Sequence, residues 1–270
     1  MAKSSIALAP EGTFTDYIYK TLYCPKEQRD MRNVIIADKI KVRPYVENII
    51  GKSPIFDTRI WSGYDVDEAM ENIKPPCVIK ANNAWRRMKF INTKSEITKS
   101  LRDELKIYMT DIRKSWEWYY QQIVPGILIE EKLPEEHILF RIYTFGGVAK
   151  IYFIQRFDVS GKSGETWNVK SDSFYRASGE FIPVTWNGFP NERYDFSADL
   201  FPKLNAMAEK IAKFPEGTPR YLRVDLYHIY NQIVFSELTM LPDAVTGHYN
   251  YFNPKDLDFE MGEYYEEAGR

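Results

Sequence analysis

Two stretches near the C-terminal end of the chain decide the fold: YLRVDLY at residues 221–227 and IVFSELT at residues 233–239. The side chains of a strand point alternately to its two faces. In the first stretch this alternation puts Arg223, Asp225 and Tyr227 on one face and three aliphatic residues on the other. The pattern predicts a strand with one polar face and one buried face.

The second stretch predicts the partner strand, with one face shared by Ile233, Phe235, Glu237 and Thr239. A turn centred near Asn231 would join the two strands as a hairpin. That register sets Asp225 opposite Glu237. It also sets Arg223 opposite Thr239.

The opposed carboxylates of Asp225 and Glu237 need an offsetting positive charge, because like charges directly opposite on a strand pair repel each other. Arg223 is one candidate. A hard divalent cation is the other, because Mg²⁺ favours carboxylate oxygens and shares its coordination with substrate phosphates. The pattern therefore predicts either a magnesium site or a salt-bridge cluster on a solvated sheet face.

Three other segments predict strands. The prolines at 75–76 precede a β-branched run at 77–80, and a second buried run follows at 127–129. Residues 140–157 read as a hairpin with the glycine pair 146–147 at its turn. Strands and helices are mixed without a β-α-β rhythm, which favours an α+β fold.

Three segments predict helices. Residues 38–50 form a short helix that begins near Arg43, because a proline follows there and is tolerated only in the first turn. Gly51 ends this helix. A charged helical stretch is expected over 95–122, and an amphipathic helix over 200–214.

The remaining segments are expected to be less regular. Residues 1–30 carry few periodic cues and predict an arm, and the acidic tail after Asn253 predicts a surface segment. Residues 158–197 are rich in Gly, Ser, Asn and Pro and predict weak strand pieces. With Trp167 and Trp186, this stretch is a candidate source of substrate specificity, since binding residues concentrate on loops.

The composition is that of an ordinary globular protein, with 44% hydrophobic and 27% charged residues. The net charge of −2 does not favour a nucleic-acid-binding protein. No apolar run reaches the ~18 residues of a spanning helix, and we expect no signal peptide. The two cysteines lack metal-ligand spacing, which is typical of a reduced, cytoplasmic protein.

The hairpin motif R-V-D followed by F-x-E-L-T resembles the C-terminal lobe of ATP-grasp enzymes. Further motifs resemble, in the same order, the TupA-like family of teichuronopeptide biosynthesis: Ala37-Asp38-Lys39, Val78-Ile79-Lys80-Ala81-Asn82, Trp118-Tyr119, Ile127 to Glu131, and Phe145-Gly146-Gly147. The resemblance covers about residues 30–254. It implies an ATP-grasp fold, in which two α+β lobes clasp ATP.

The resemblance also implies the domain boundaries. Residues 1–76 are then an N-terminal region. Residues 77–133 form the nucleotide-binding lobe up to the hinge. Residues 134–270 form the C-terminal lobe, with the metal site and the acceptor region.

The nucleotide contacts that the resemblance implies lie on both lobes. Lys80 would meet the α- and β-phosphates, and Lys39 and Arg43 would face the phosphates or the acceptor. At the hinge, the backbone of Glu131 and Leu133 would contact the adenine edge, and the Glu130 side chain would accept from its exocyclic amine. The ribose hydroxyls would be bound by Glu136 or its neighbour His137.

The catalytic and metal residues that the resemblance implies lie on the large hairpins. Arg223 would steady the transferred phosphoryl group or the oxyanion formed during attack. Arg141, in place of the family's usual lysine, would present its positive charge to the phosphates, with Arg156 as a second candidate. Asp225 and Glu237 would bind Mg²⁺.

The chain departs from the family pattern at two places. Thr239 stands where many ATP-grasp enzymes have asparagine as a third metal ligand. The loop at 82–87 lacks the glycine that lets backbone approach a phosphate, so Arg86 or Arg87 would substitute there, or the loop would serve the acceptor.

The activity that the resemblance implies is an ATP-dependent carboxylate–amine ligase that works through an acyl phosphate. Its substrates would be a small-molecule or glycan carboxylate and an amine, in the synthesis of a cell-surface polysaccharide or peptide conjugate. A kinase on the same scaffold and a non-catalytic nucleotide-binding module stay open, as does a role for His248 as a base or in the acceptor site. The sequence leaves the oligomeric state open.

Overall fold

The computed structural model describes residues 9–51, 58–84, 87–110, 117–134, 137–158, 168–214, 217–241 and 252–270. Within them the helices are α1 (Phe14–Leu22), α2 (Arg32–Ala37), α3 (Val42–Ile50), α4 (Val66–Asn72), α5 (Lys99–Thr110), α6 (Leu200–Ala212) and α7 (Asp256–Glu267). Short 3₁₀ turns lie at Lys26–Gln28, Lys94–Glu96 and Trp118–Gln122.

The smaller sheet has four antiparallel strands in the order β1-β4-β2-β3. Its strands are β1 (Arg59–Gly63), β2 (Cys77–Ala81), β3 (Met88–Ile91) and β4 (Ile127–Glu131). The apolar residues of β2 and β4 pack on α4 and α5 through Ala69, Leu101 and Leu105. β1 lies in the region predicted as N-terminal, yet it pairs with β4 of the predicted nucleotide lobe.

The larger sheet has six antiparallel strands in the order β11-β10-β5-β6-β7-β8. Its strands are β5 (Ile138–Phe145), β6 (Val148–Asp158), β7 (Asn168–Arg176), β8 (Phe181–Ile182), β10 (Tyr221–Ile229) and β11 (Gln232–Thr239). A separate pair joins β9 (Thr185–Trp186) to β12 (Phe252–Asn253). The mixture of helices with antiparallel sheets confirms the α+β prediction.

The two faces of the larger sheet pack on different layers. Leu222 and Val224 of β10 face a core that includes α3 and α6. Tyr221 of β10 and Tyr143 of β5 face a second core, with α1, α7 and the 3₁₀ turn at 118–122. The polar residues Arg223 and Asp225 alternate with the first group, so they lie on the second face.

The β10–β11 hairpin confirms the predicted pairing but reaches it by a different route. Tyr230 and Asn231 both have positive φ, 47° and 64°, as a two-residue type I′ turn requires. That turn alone would set Asp225 opposite Ser236. A bulge between Asp225 and Leu226 shifts the register by one residue and sets Asp225 opposite Glu237.

The bulge corrects one prediction about faces. Phe235 pairs with Leu226 and, like Ile233, packs in the core with Val224. Neither shares the face of Glu237, because the extra residue reverses the alternation along β11.

The predictions of an N-terminal arm and of an acidic surface tail are wrong for the described residues. Phe14 and Ile18 of α1 are buried, as are Leu257 and Met261 of α7, and the two helices pack on each other. Thr13 caps α1 by accepting from the Asp16 N–H. The signal that could have been found is the four-residue spacing of Phe14, Ile18 and Leu22 behind that cap.

The stretch at 95–122 is not one α-helix throughout its described part. It begins with a capping box at Thr93 and Glu96, which closes a 3₁₀ turn before α5. The end at Trp118–Gln122 is again 3₁₀, and there Trp118 and Tyr119 pack in the core of the larger sheet.

The irregular stretch at 158–197 is more ordered than predicted in its described part. β7 is a full nine-residue strand. Trp186, a candidate specificity residue, is 6% exposed and packs against Phe153 and Phe252, which places it in the core. Trp167 lies outside the described residues.

The helix predicted at 38–50 is α3, and it ends at Gly51, whose φ is 86°. α6 confirms the amphipathic helix and ends two residues before the predicted limit. The strands predicted at 77–80 and 127–129 and the hairpin over 140–157 are present. The helices found in the described ranges are all too short or too polar to cross a membrane.

Candidate active site

Arg223 and Asp225 form a buried ion pair on β10. Arg223 Nε lies 2.7 Å from Asp225 Oδ1, and Arg223 Nη2 lies 2.7 Å from Oδ2. The same Nη2 donates to Thr239 Oγ1 at 3.0 Å and lies 3.8 Å from Glu237 Oε1. The guanidinium is therefore held by three groups of the hairpin.

Arg141 reaches the same carboxylate from β5. It pairs with Asp225 across the two strands, and its Nε lies 3.9 Å from Asp225 Oδ2. Its guanidinium lies 5.2 Å from the ring centre of Phe153 and donates to Gln155. The structure thus brings both predicted catalytic arginines to Asp225.

Lys39 comes from the turn between α2 and α3. Its Nζ lies 3.8 Å from Glu237 Oε2 and donates to the carbonyl of Ala84 at 3.2 Å. It also lies 5.9 Å from the ring centre of Tyr120. Lys39 therefore stands where β11, the loop after β2 and the 3₁₀ turn at 118–122 meet.

The two opposed carboxylates differ in exposure and in charge balance. The Asp225 side chain is 1% exposed, and burial raises its pKa against the pull of Arg223. Glu237 is 38% exposed on the solvent side. Burial would raise the pKa of Glu237, but Lys39 and Arg223 hold it below its usual value.

A second charge cluster lies on the smaller sheet. Glu130 of β4 is 4% exposed, and its Oε2 lies 2.5 Å from Lys80 Nζ of β2. Arg43 of α3 pairs with the same carboxylate, and Thr58 Oγ1 donates to it at 2.9 Å. Glu237 also acts on the pKa of Lys80, so the two clusters are electrostatically connected.

The hinge residues lie at the end of β4. Glu131 is exposed, and its N–H donates to the Thr58 carbonyl at 2.7 Å. Leu133 follows the strand. Glu136 lies outside the described residues. The ring of its neighbour His137 lies edge-on to that of Tyr227, 5.1 Å between centres.

The glycine-free loop after β2 begins at Asn82, whose buried side chain hydrogen-bonds to two other segments. The side chain of Asn82 donates to Asp38 Oδ1 and to the Val124 carbonyl, both at 3.0 Å. Its Oδ1 accepts from the Gly126 N–H at 2.6 Å. Asn82 therefore fixes the start of the loop to α2 and to the strand that leads to the hinge. Arg86 lies outside the described residues.

The donor set suits a metal that is completed by substrate. Among the residues that the structure describes, no group of three or more His, Cys, Asp or Glu could hold a metal ion. Asp225 and Glu237 supply two carboxylates, and Mg²⁺ is commonly bound by one or two carboxylates plus substrate phosphates. A carboxylate offers about four acceptor positions, so Asp225 can keep Arg223 and still bind a metal.

Arg156 does not join the cluster, and Thr239 joins it only through Arg223. Arg156 stacks on the ring of Tyr194 at 3.7 Å, and within the described ranges no contact links it to Asp225. The Thr239 hydroxyl accepts from Arg223, which makes it a support for the arginine. His248 lies outside the described residues.

Sequence reasoning missed three contributors: Thr58, Gln155 and Tyr120. Each contacts a predicted site residue through its side chain. No motif marked them, because each contact joins segments that are distant in the sequence or on neighbouring strands. For Tyr120, the nearest sequence signal was the hinge motif at Trp118 and Tyr119, which directly precedes it.

A cavity of about 440 Å³ opens beyond the Arg223 end of the hairpin. It is lined by residues at the start of β10 and just after β11, including Tyr221 and Leu241, and by Tyr17 of α1. Two buried polar atoms of its lining residues, Asn33 Oδ1 and Trp118 Nε1, have no hydrogen-bond partner within the described chain.

Similarity to solved structures identifies the fold. The D-Ala:D-Ser ligase VanG from Enterococcus faecalis superposes with a TM-score of 0.51 at 16% identity, over 87% of this chain and 61% of VanG. The D-alanine–D-alanine ligase from Bacillus anthracis gives a TM-score of 0.48 at 16% identity, over 87% of this chain and 65% of the ligase. The chain thus spans less than two thirds of either ligase.

The sequence itself carries the family assignment. No curated protein matches it significantly. The sequence model described as TupA-like ATPgrasp matches residues 20–266, which is nearly the whole chain. This chain belongs to the TupA-like ATP-grasp family.

Proposed function

We propose that this protein is an ATP-dependent carboxylate–amine ligase. The observation that carries the proposal is the charge balance of the two connected clusters. Among the described groups, five cations, Lys39, Arg43, Lys80, Arg141 and Arg223, surround three carboxylates, Glu130, Asp225 and Glu237. The two surplus positive charges match the double negative charge of magnesium-bound ATP.

The nucleotide would lie between the two sheets. Lys80 and Lys39 would hold its phosphates as compact cations with three donors each. The backbone of Glu131 and Leu133 would bind the adenine edge, and Glu136 would bind the ribose.

Asp225 and Glu237 would hold the Mg²⁺ that accompanies the nucleotide. When bound, the ion neutralises charge on the transferring phosphoryl group. The preference of the pair for a hard cation follows from its oxygen donors and from the exposed position of Glu237.

The reaction would run in two transfers. A substrate carboxylate oxygen attacks the γ-phosphorus, the bond to the bridging oxygen breaks, and ADP leaves. The amine then attacks the carbonyl carbon of the acyl phosphate, phosphate leaves, and the amine gives up a proton to form the amide. Arg223 and Arg141 would stabilise the charge on the transferring phosphoryl oxygens, because donors fixed in a partly buried site need no reorganisation.

The acceptor would enter the cavity beyond Arg223. Polar and charged residues line this cavity and would orient the acceptor's polar groups. The family's association with teichuronopeptide synthesis supports a carboxylate and an amine on precursors of a cell-surface polysaccharide or peptide conjugate. A cytoplasmic site of action would supply the ATP.

The test is a screen of uronic acids, amino acids and short peptides for ADP release, with mass spectrometry of the products. The proposal predicts ADP release with a carboxylate substrate, a hydroxamate when hydroxylamine replaces the amine, and an amide with the natural amine. A stable phosphoester on a hydroxyl would instead establish a kinase. Mg–ATP binding in a calorimetric titration without ADP release from any substrate pair would favour a non-catalytic nucleotide-binding module, and failure to bind Mg–ATP would contradict any ATP-dependent activity.

A further inference from the structure

Glu130 is the most heavily engaged carboxylate of the site. One oxygen, Oε2, lies 2.5 Å from Lys80 Nζ. The other, Oε1, accepts from Arg43 and, at 2.9 Å, from Thr58. Its side chain is 5% exposed, and the Lys80 ammonium and two hydrogen-bond donors, Arg43 and Thr58, surround it.

The charges of this cluster are fixed at neutral pH. Burial alone would raise the pKa of Glu130, yet Lys80 and Arg43 lower it to about 2. Burial would lower the pKa of Lys80, and the Glu130 carboxylate raises it instead. The pair therefore stays ionised whenever the protein is folded near neutral pH.

The contact with Glu130 determines where the Lys80 ammonium lies. A lysine carries its charge on a flexible four-carbon stem, and the strand alone does not fix it. Lys80 pairs with Leu128 across β2 and β4, and Glu130 follows Leu128 by two residues on the same face. The carboxylate thus draws the ammonium along the sheet toward the hinge.

Arg43 holds Glu130 from the side of the larger sheet, across the cleft between the two sheets. Its helix, α3, is packed in the core of the larger sheet through Val42 and Val46. Tyr45 of the same helix donates to the carbonyl of Lys213, after α6, at 3.0 Å. Arg43 is therefore anchored to the larger sheet while its guanidinium contacts the smaller one.

We propose that Glu130 is a positioning residue that fixes Lys80 for the phosphates, and that it does not read the exocyclic amine of adenine. Arg43 secures that carboxylate from the opposite sheet. This inference rests on the proposed nucleotide site.

The first test compares Mg–ADP with Mg–IDP, in which a carbonyl replaces the exocyclic amine. Titration calorimetry on the full chain measures both affinities in the wild type and in Glu130→Gln. We expect the substitution to weaken both nucleotides by about tenfold, because a charge-assisted contact to Lys80 is lost. The ratio of the two affinities stays at its wild-type value. A ratio that collapses to one in the variant, while Mg–IDP affinity is unchanged, would overturn the inference.

A double-mutant cycle with Lys80→Met provides the second test. If Glu130 acts through Lys80, Glu130→Gln adds little loss of Mg–ADP affinity in the Lys80→Met background. An equal loss in both backgrounds contradicts the inference. Glu130→Asp retains the charge but withdraws it from Lys80, and it covers the case in which the glutamine variant fails to fold. It should give a smaller loss for both nucleotides.

Glu47→Gln is the matched control. Glu47 also joins α3 to the smaller sheet, through Arg59 at 2.8 Å, but that pair is partly exposed. Its removal should leave both nucleotide affinities within twofold of the wild type. If the wild type itself binds neither nucleotide, the proposed function fails. If the wild type binds both and Glu130→Gln is unaffected, only this inference fails.

Discussion

Two buried carboxylates show how differently the two regions of the molecule are built. Glu130, between the sheets, is 4% exposed, and its cations lower its pKa to about 2. Asp258, between α1 and α7, is fully buried, and burial raises its pKa to about 6. Its Oδ1 accepts from the Thr15 N–H at 3.2 Å, and the charge of Lys255 lowers its pKa by less than burial raises it.

The two buried carboxylates therefore serve different purposes. In the cleft, opposite charges stabilise ionised groups that a charged ligand can use. In the terminal layer, which is formed by α1 and α7, apolar packing is the main source of stability. There the single carboxylate of Asp258 caps the first turn of α1. The cleft is therefore expected to respond to nucleotide, and the layer to changes in side-chain volume and pH.

The largest expected effect is on the packing of the layer. Phe14 is fully buried against Tyr143, Phe145 and Tyr221. Phe14→Ala should lower the free energy of unfolding by about 4 kcal/mol, because it removes apolar contact and leaves a cavity. Urea denaturation measures the change. Ile107→Ala, at an exposed position of α5, is the control and should change it by less than about 0.5 kcal/mol. A small effect at Phe14 would mean that the N-terminal segment is the arm expected from sequence.

The second effect concerns the charge pair of the cleft. Arg43→Met leaves the buried Glu130 with one cation fewer and should lower the free energy of unfolding by about 3 kcal/mol. Arg59→Met breaks the partly exposed pair between β1 and Glu47, which lies on α3 like Arg43, and it should lower the free energy of unfolding by less than about 1 kcal/mol. Equal losses in the two variants, measured by denaturant titration, would show that the Arg43 pair is no more desolvated than the Arg59 pair.

The third effect is the pH dependence of stability that Asp258 contributes in the layer of α1 and α7. The folded pKa of Asp258, about 6, exceeds the ordinary value of 3.8, so the folded state binds the proton more tightly. The resulting stabilisation is complete below pH ~4 and is lost as the pH rises through ~6. Asp258→Asn keeps an oxygen for the Thr15 N–H but cannot titrate.

The expected size of this third effect is about 2 kcal/mol. Between pH 4 and pH 7 the wild type should lose that much stability relative to Asp258→Asn, measured by denaturant titration at each pH. Parallel stability curves for the two proteins would contradict the assignment.

Much of the cleft could be predicted from sequence, because its signals are local. Strand alternation and a turn indicated Asp225 and Glu237, and the family motifs indicated Lys80, Lys39 and Arg223. Even there the pairing of the two carboxylates depends on a bulge at Ser236 that alternation does not reveal.

The rest depends on contacts between distant segments. Arg43 and Glu130 are 87 positions apart, and Thr15 and Asp258 are 243 apart. No spacing rule joins such residues, since the fold alone brings them together. The α1 stripe was visible in the sequence, but its partner, α7, carries a weaker apolar pattern within an acidic tail.

The central claim is that Asp225 and Glu237 bind the Mg²⁺ of a bound nucleotide. Its most direct test is calorimetric titration of ADP, with and without Mg²⁺, into the wild type, Asp225→Asn, Glu237→Gln and the control Asp258→Asn. The account predicts that Mg²⁺ tightens ADP binding in the wild type and in the control, and that either cleft variant loses this gain while still binding ADP alone. Undiminished Mg²⁺ dependence in both cleft variants would contradict it.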